Sequence, residues 1–294
     1  MFPSYQNQSN EWTRLDHIKK QLFSQVPFQS HRIRQGSRDR DIPAFQEIRD
    51  SRGEAGQKAG RVALLARVQT HPCVPPPPLG REQAYLVERD GMSLVGTAEV
   101  PVTAYHSEEI LDEAQLPRKY VALSTCFRRE AGAAGKDTYG LYRVHLFDKV
   151  EQVIVGPNDV EASKRFHLEI LRNAEDMLQA LGLPYRVVNV CTGDLGQGQV
   201  QKFDIETWMP SRNSYGETHS ASRFYEFQAR RLNIRYRDKD GNVKFCHTLN
   251  NTVIASPRVL IPVLEMYQNA DGSITVPKAL RPYMHGMEKI AKKT

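Results

Sequence analysis

Cysteine is scarce in this chain and nowhere closely paired. The 294 residues hold four, Cys73, Cys126, Cys191 and Cys246, with no CxxC among them. That spacing argues against a disulfide framework or a zinc knuckle and fits a reducing compartment. No apolar run approaches the roughly 20 residues that span a bilayer, so no membrane partner is expected. The opening stretch MFPSYQNQSNEWTRLDH has no apolar core and carries Glu11 and Asp16, so no clear transit peptide is expected either. No Lys/Arg block marks a nucleic-acid tail. The net charge of +6 comes from 40 basic residues scattered among 34 acidic ones, which permits RNA or nucleotide partners without demanding them.

Familiar nucleotide motifs are missing too. EAGAAGKD looks like a P-loop, but Glu130 stands where the first Gly belongs and Asp137 replaces the Ser/Thr. GDLGQG has its glycines in the wrong order for a dinucleotide fingerprint. GMSLVG is one residue too long for a nucleophile elbow. A nucleotide site here must be built from side chains on a sheet.

With 40% hydrophobic and 25% charged residues, the chain has an ordinary globular composition and is long enough for one large core plus an appendage. Residues 1–80 are poorly patterned. A short helix is expected over Trp12–Phe23, loop follows, and Pro75–Pro78 forms a rigid spacer. No heptad pattern is sustained there.

From residue 81 the signals sharpen into one domain, 81–294. AYLVERDGMSLVGTAEV predicts a hairpin turning at Asp90-Gly91. Asn158 or Asp159 can cap a helix that runs to Leu181 and is closed by Gly182 and Pro184. YRVVNVCTG, FDIETWMP, FYEFQARRLNIRYR and VKFCHTLNN read as strands, the last feeding a helix over Pro257–Tyr267. Strands outnumber helices without alternating with them. The expected fold class is therefore α+β, an antiparallel β-sheet core flanked by helices.

The most informative stretch is Ala122–Val155, two strands joined by a polar, Gly-rich loop. Side chains two apart share a strand face. Arg128, Glu130, Arg143, Phe147 and Glu151 can then point one way and suit an anionic, flat, aminated ligand. A solvated charged face satisfies the same alternation and is the commoner case. Three further features bear on the choice. Ser256 is a plausible N-cap with Pro257 at the first helical position, which leaves Arg258 in the first turn, where a cation is unfavourable unless an anion sits there or the side chain snorkels away. Thr97 and Glu99 would share a strand face and could bind a small amine or alcohol, although such pairs are commonplace. Glu217 and Ser220 are hard oxygen donors three apart, and nucleotide-bound Mg²⁺ needs only one or two protein carboxylates. In isolation, a loop carboxylate in water is the simpler reading of Glu217.

Together, TAEVP, CFRREAGAAGKDTYGLYRVHLFDKVE, TGDLG, FDIETWMP, YGETHSASRFYEFQARRLNIRYR and HTLNNTVIASPRVLIPVLE resemble the signatures of class II aminoacyl-tRNA synthetases, specifically the seryl-tRNA synthetases, in that family's order. The resemblance covers about residues 83–285, and MSLVGTAEVP looks more like the mitochondrial branch than the cytosolic one. It implies a serine–tRNA ligase with ATP and Mg²⁺ as cofactors, L-serine and tRNA(Ser) as partners, a homodimer, and a mitochondrial or cytoplasmic location. Arg128 would grip the α-phosphate and the serine carboxylate. Phe147 and Arg258 would sandwich adenine, with Arg258 also near the γ-phosphate. Further ATP contacts are implied at Arg129, Glu130, Arg143, Val144, Glu217, Thr218, His219 and Ser220, with Glu217 and Ser220 holding Mg²⁺. Thr97, Ala98, Glu99, Glu151 and Thr252 would hold serine.

The resemblance also marks departures. The family's tRNA-gripping coiled-coil arm is not seen, and its first motif, which forms the dimer interface, survives only as RVALLARVQTHPCVPPPP. Asn251 and Val253 stand where small residues are usual, so Val253 is expected to crowd the pocket. Two other readings follow: a truncated or inactive paralogue with a binding role, and a ligase that passes activated serine to another acceptor.

Overall fold

The computed structural model describes residues 82–90, 92–131 and 140–292, with the backbone alone for Asp90 and for the short strands at 51–52, 58–61 and 65–67. The helix expected over Trp12–Phe23 and the loop residues 132–139 lie outside the described residues. The strands are β1 (Ser51–Arg52), β2 (Lys58–Arg61), β3 (Leu65–Arg67), β4 (Leu86–Val87), β5 (Met92–Leu94), β6 (Ile110–Asp112), β7 (Arg118–Phe127) and β8 (Leu146–Gly156). They continue as β9 (Tyr185–Asn189), β10 (Gln201–Met209), β11 (Ser214–Tyr225), β12 (Arg235–Arg237), β13 (Val243–Phe245), β14 (His247–Ala255), β15 (Ile274–Thr275) and β16 (Lys289–Ile290). The α-helices are α1 (Glu99–Ala104), α2 (Val160–Ala180), α3 (Phe227–Leu232) and α4 (Ser256–Met266).

An eight-stranded sheet in the order β1-β2-β7-β8-β14-β11-β10-β9 organises the molecule. All of its pairings are antiparallel except β2 with β7. The α+β expectation is met.

Register decides what each face carries, because residues paired across strands point the same way. Glu151 pairs with Thr252, Asn251 with Ala221, and Ile205 with His219. One face thus presents Ile154, Leu249, Ala221 and Ile205. Against it pack Ile170, Leu171, Ala174 and Leu178 of α2 and Val259 and Val263 of α4. Each such fully buried aliphatic side chain contributes roughly 1.5–3 kcal/mol. The opposite face carries Phe147, Lys149, Glu151 and Thr252. The far end of that face is closed by α1 and α3, through Ala98, Val102, Tyr120, Ala122 and Val153 in one cluster and Ala104, Val155, Ala229 and Leu232 in another. The near end stays polar.

Helix α2 starts and stops where expected. The Asp159 carboxylate accepts from the Ala162 N–H at 2.9 Å. At the other end Leu183 N–H reaches the Leu178 carbonyl and Gly182 N–H the Gln179 carbonyl, a Schellman closure with Gly182 at φ +66°.

Four expectations need correction. Glu99 opens helix α1 rather than continuing a strand, and Thr97 sits just before it. FYEFQARRLNIRYR is not one strand: β11 ends at Tyr225, α3 intervenes and β12 follows. VKFCHTLNN is broken at Cys246 into β13 and β14, which belong to different sheets. Ser256 lies inside α4, whose N-cap is Ala255 without a side-chain bond. The expected hairpin is present as β4 and β5, with a 3₁₀ turn over Glu88–Asp90.

Candidate active site

The charged face of the β7–β8 hairpin is the buried one. Ala122, Ser124, Cys126, Phe147, Lys149 and Glu151 are all under a tenth exposed, whereas Leu146 on the other face is 52% exposed. The solvated-face reading therefore fails. Buried charges must be paired or aimed at a ligand.

At the inner end the Lys149 ammonium lies 2.5 Å from Glu151 and donates to the Thr97 hydroxyl at 2.7 Å. Thr252 donates to the same Glu151 carboxylate at 3.2 Å. Thr97 Oγ1 also accepts from the Glu99 N–H at 3.2 Å, an ST turn that the start of α1 makes possible. The Glu99 carboxylate accepts from Gln228 of α3 at 2.7 Å, and Gln228 in turn accepts from Thr248 of β14 at 2.6 Å. Burial, reinforced by the neighbouring Glu151, pushes the Glu99 carboxyl up to about 7, against the pull of Lys149. Two carboxylates facing one ammonium leave this pocket short of a positive charge. It suits a ligand that brings its own ammonium.

At the outer end Arg128 donates to the Gly96 carbonyl at 3.1 Å, and its guanidinium carbon lies 5.3 Å from the centre of the Phe147 ring. Arg143 pairs with Glu130 at 2.7 Å, bracketing the loop. Arg258 approaches both the carboxylate and the carbonyl of Glu217 at 3.3 Å and rests over the Tyr142 ring at 4.7 Å.

Glu217 and Ser220 are three apart on a strand, a spacing that regular alternation sends to opposite faces. A β-bulge resolves this. Ile205 pairs with His219 but Glu206 pairs with Glu217, leaving Thr218 as the extra residue. Glu217 then shares a face with Glu206, and Ser220 with Asp204, on the side of the site. Burial and then Glu217 raise the Asp204 carboxyl above its ordinary range, and its Oδ1 is buried without a hydrogen-bond partner. Among the described residues no three His, Cys, Asp or Glu form a metal cage. Glu217 and Ser220, with Asp204 behind them, do fit Mg²⁺ carried in on a nucleotide, which keeps most of its own phosphate and water ligands.

The structure also locates the remaining residues singled out in the sequence. Thr218 and His219 face the helix side. The Thr218 hydroxyl meets Thr207 and His219 Nδ1, each at 2.7 Å, and both residues are 1% exposed. The Ala98 side chain is in the core, leaving only its backbone for a ligand. Arg129 is exposed, and its N–H bonds the Gln83 carbonyl at 2.8 Å. Val144 is half-buried just ahead of β8. Asn251 turns to the helix side, where its amide meets Gln152 at 2.9 Å. Val253 is the extra residue of a second bulge, in β14.

Three residues went unassigned in the sequence. Lys149 was findable, since it stands two residues from both Phe147 and Glu151. Gln228 was hidden by the strand reading of its segment. Tyr142 offered no signal beyond its neighbour Arg143.

Similarity to known proteins points to one family. A serine–tRNA ligase of Deinococcus radiodurans is 50% identical over 215 residues, 73% of this chain and 51% of that protein. One from Brevibacillus brevis is 52% identical over 218 residues, 74% and 50% respectively. The chain thus spans about half the length of the curated relatives it matches. The seryl-tRNA synthetase of Pyrococcus horikoshii, solved in complex with ATP, superposes with a TM-score of 0.77 at 43% identity, covering 82% of this chain and 54% of that one. A Giardia lamblia prolyl-tRNA synthetase, 17% identical with a TM-score of 0.68, shares the fold. The tRNA synthetase class II core domain (G, H, P, S and T) matches residues 85–267, and this chain belongs to that family.

Proposed function

We propose that the chain activates L-serine with ATP and is the catalytic part of a serine–tRNA ligase. The observation that carries this is the division of one site, built on a sheet face and on the helices α1 and α4 that border it. An ammonium-seeking pocket of Glu99, Glu151, Thr97 and Thr252 lies beside a phosphate-seeking end of Arg128, Arg258, Glu217 and Ser220. The names of the relatives and the ATP of the Pyrococcus structure support it.

The serine ammonium would enter between Glu99 and Glu151, and its hydroxyl would bond Glu151 and Thr252. A pocket whose polar groups are left unpaired by alanine rejects it. Arg128 would bridge the serine carboxylate and the α-phosphate, so the reacting oxygen and phosphorus are brought in line without a protein nucleophile. The new bond is O–P and the bond broken is α,β-P–O. Pyrophosphate leaves with Arg258 at its charge. Glu217 and Ser220 would hold Mg²⁺, which would neutralise charge on the phosphate tail. The terminal ribose of tRNA(Ser) would then take the seryl group and release AMP. A homodimer belongs to the same proposal, on the strength of the family resemblance.

Serine-dependent ATP–pyrophosphate exchange, with alanine and threonine as controls, is the test. Exchange with serine alone is expected, and none from a folded chain would sink the reading. Arg258→Ala should abolish exchange and leave the melting transition in place.

A further inference from the structure

Tyr142 belongs to neither end of the site by sequence, yet three elements converge on it. It lies where the loop re-enters the sheet and is 8% exposed. Its ring sits 4.7 Å from the Arg258 guanidinium carbon of α4 and 4.6 Å from that of Arg212. Its hydroxyl donates to the Glu217 carbonyl at 2.9 Å, the carbonyl that Arg258 also approaches at 3.3 Å. The ring is admitted by Gly216, where an added Cβ would stand 3.3 Å from Tyr142 Cε2 and 3.2 Å from the Met209 sulfur. A tyrosine that merely fills space needs neither a cation on its face nor the hydroxyl acceptor used by that cation.

We infer that Tyr142 is a positioning residue for the nucleotide end of the site: its ring seats the Arg258 guanidinium and its hydroxyl holds the Glu217 backbone. One side chain thereby sets both the cation for the phosphate tail and the carboxylate for the metal. The inference rests on the reading of this face as an ATP site. A guanidinium held over a ring is restrained before the ligand arrives, which is where affinity is gained. The carbonyl shared by Tyr142 and Arg258 couples that orientation to Glu217 on β11.

The test compares Tyr142→Leu, which removes ring and hydroxyl, with Tyr142→Phe, which removes the hydroxyl alone. ATP·Mg²⁺ binding is read by calorimetry, and exchange is measured with ATP, serine and Mg²⁺ each varied. Tyr142→Leu should weaken ATP binding roughly tenfold while moving the serine KM by less than about twofold. Tyr142→Phe should keep most ATP affinity but need about two- to fivefold more Mg²⁺ for half-maximal exchange. In an Arg258→Ala background, Tyr142→Leu should cost no more ATP affinity than Tyr142→Phe does alone, since the ring acts through that arginine and only the hydroxyl acts through Glu217.

Unchanged ATP affinity in Tyr142→Leu, equal rises in the ATP and serine constants, or a fully additive loss in the double variant would overturn the inference. If Tyr142→Leu loses its melting transition, the Mg²⁺ dependence of Tyr142→Phe decides alone. A wild-type chain that binds ATP without activating serine would refute the proposed function while leaving the Tyr142 inference decided by the calorimetry. A wild-type chain that binds no ATP would overturn both.

Discussion

Glu99 carries the charge question of the inner pocket. Burial and Glu151 hold its carboxyl up at about 7, so below that pH it is neutral and cannot pair with an incoming ammonium. The KM for serine should therefore fall as pH rises from 6 to 8, with its inflection near 7. Glu99→Gln should raise the KM and remove the inflection, which exchange assays across that range would show. Lys149 is the counterweight. Removing one partner of a buried pair leaves the other uncompensated, so Lys149→Met should destabilise by about 3–5 kcal/mol in chemical denaturation. The double change Lys149→Met with Glu151→Gln should recover much of that loss. Both residues were within reach of the alternation rule, because Phe147, Lys149 and Glu151 follow at steps of two. What alternation could not supply was the sign of burial. A charged face reads as solvated until its ligand chemistry is recognised.

Element boundaries were readable where their chemistry is local. Helix α2 carries a carboxylate cap at Asp159 and a left-handed glycine at Gly182, and both ends fell where expected. Asp159→Ala should cost about 1 kcal/mol. Gly182→Ala should cost at least as much, since φ is +66° there and a Cβ would stand 2.7 Å from the Tyr267 hydroxyl. Thermal melts of the two variants check both. The short helices were opaque for physical reasons. Helix α1 has six residues and α3 has six, too few for a 3.6-residue period to declare itself. The chain leaves β11 at Tyr225 and α3 at Asn233 through positive φ angles of 49° and 53°, so no glycine announces either turn. The bulge at Thr218 was hidden as well. It alone turns a three-residue spacing into a shared face, and only pairing partners reveal it.

For the whole molecule, pH acts through buried imidazoles. His167 and His219 are 1% exposed, and burial pulls each down to about 4. Each folded pKa lies below the unfolded value, so their stabilisation is complete above about pH 6.5 and is lost as pH falls toward 4. Glu99, whose folded pKa is raised, acts in the opposite sense between about 7 and 4.5. Each full shift is worth on the order of 3 kcal/mol, so two against one leaves a net loss of about that size. The melting temperature should fall as pH drops from 6.5 to 4.5, and His219→Asn should flatten the slope.

The Gln228 side chain bonds a carboxylate 129 positions earlier, and Thr252 reaches one 101 positions earlier. During synthesis, Glu99 and Glu151 emerge long before the strand and helix that complete their surroundings. No early portion of the chain can hold the amino acid, so substrate cannot template its folding. Ligand protection against proteolysis should arise in one step, only after β14 has been translated.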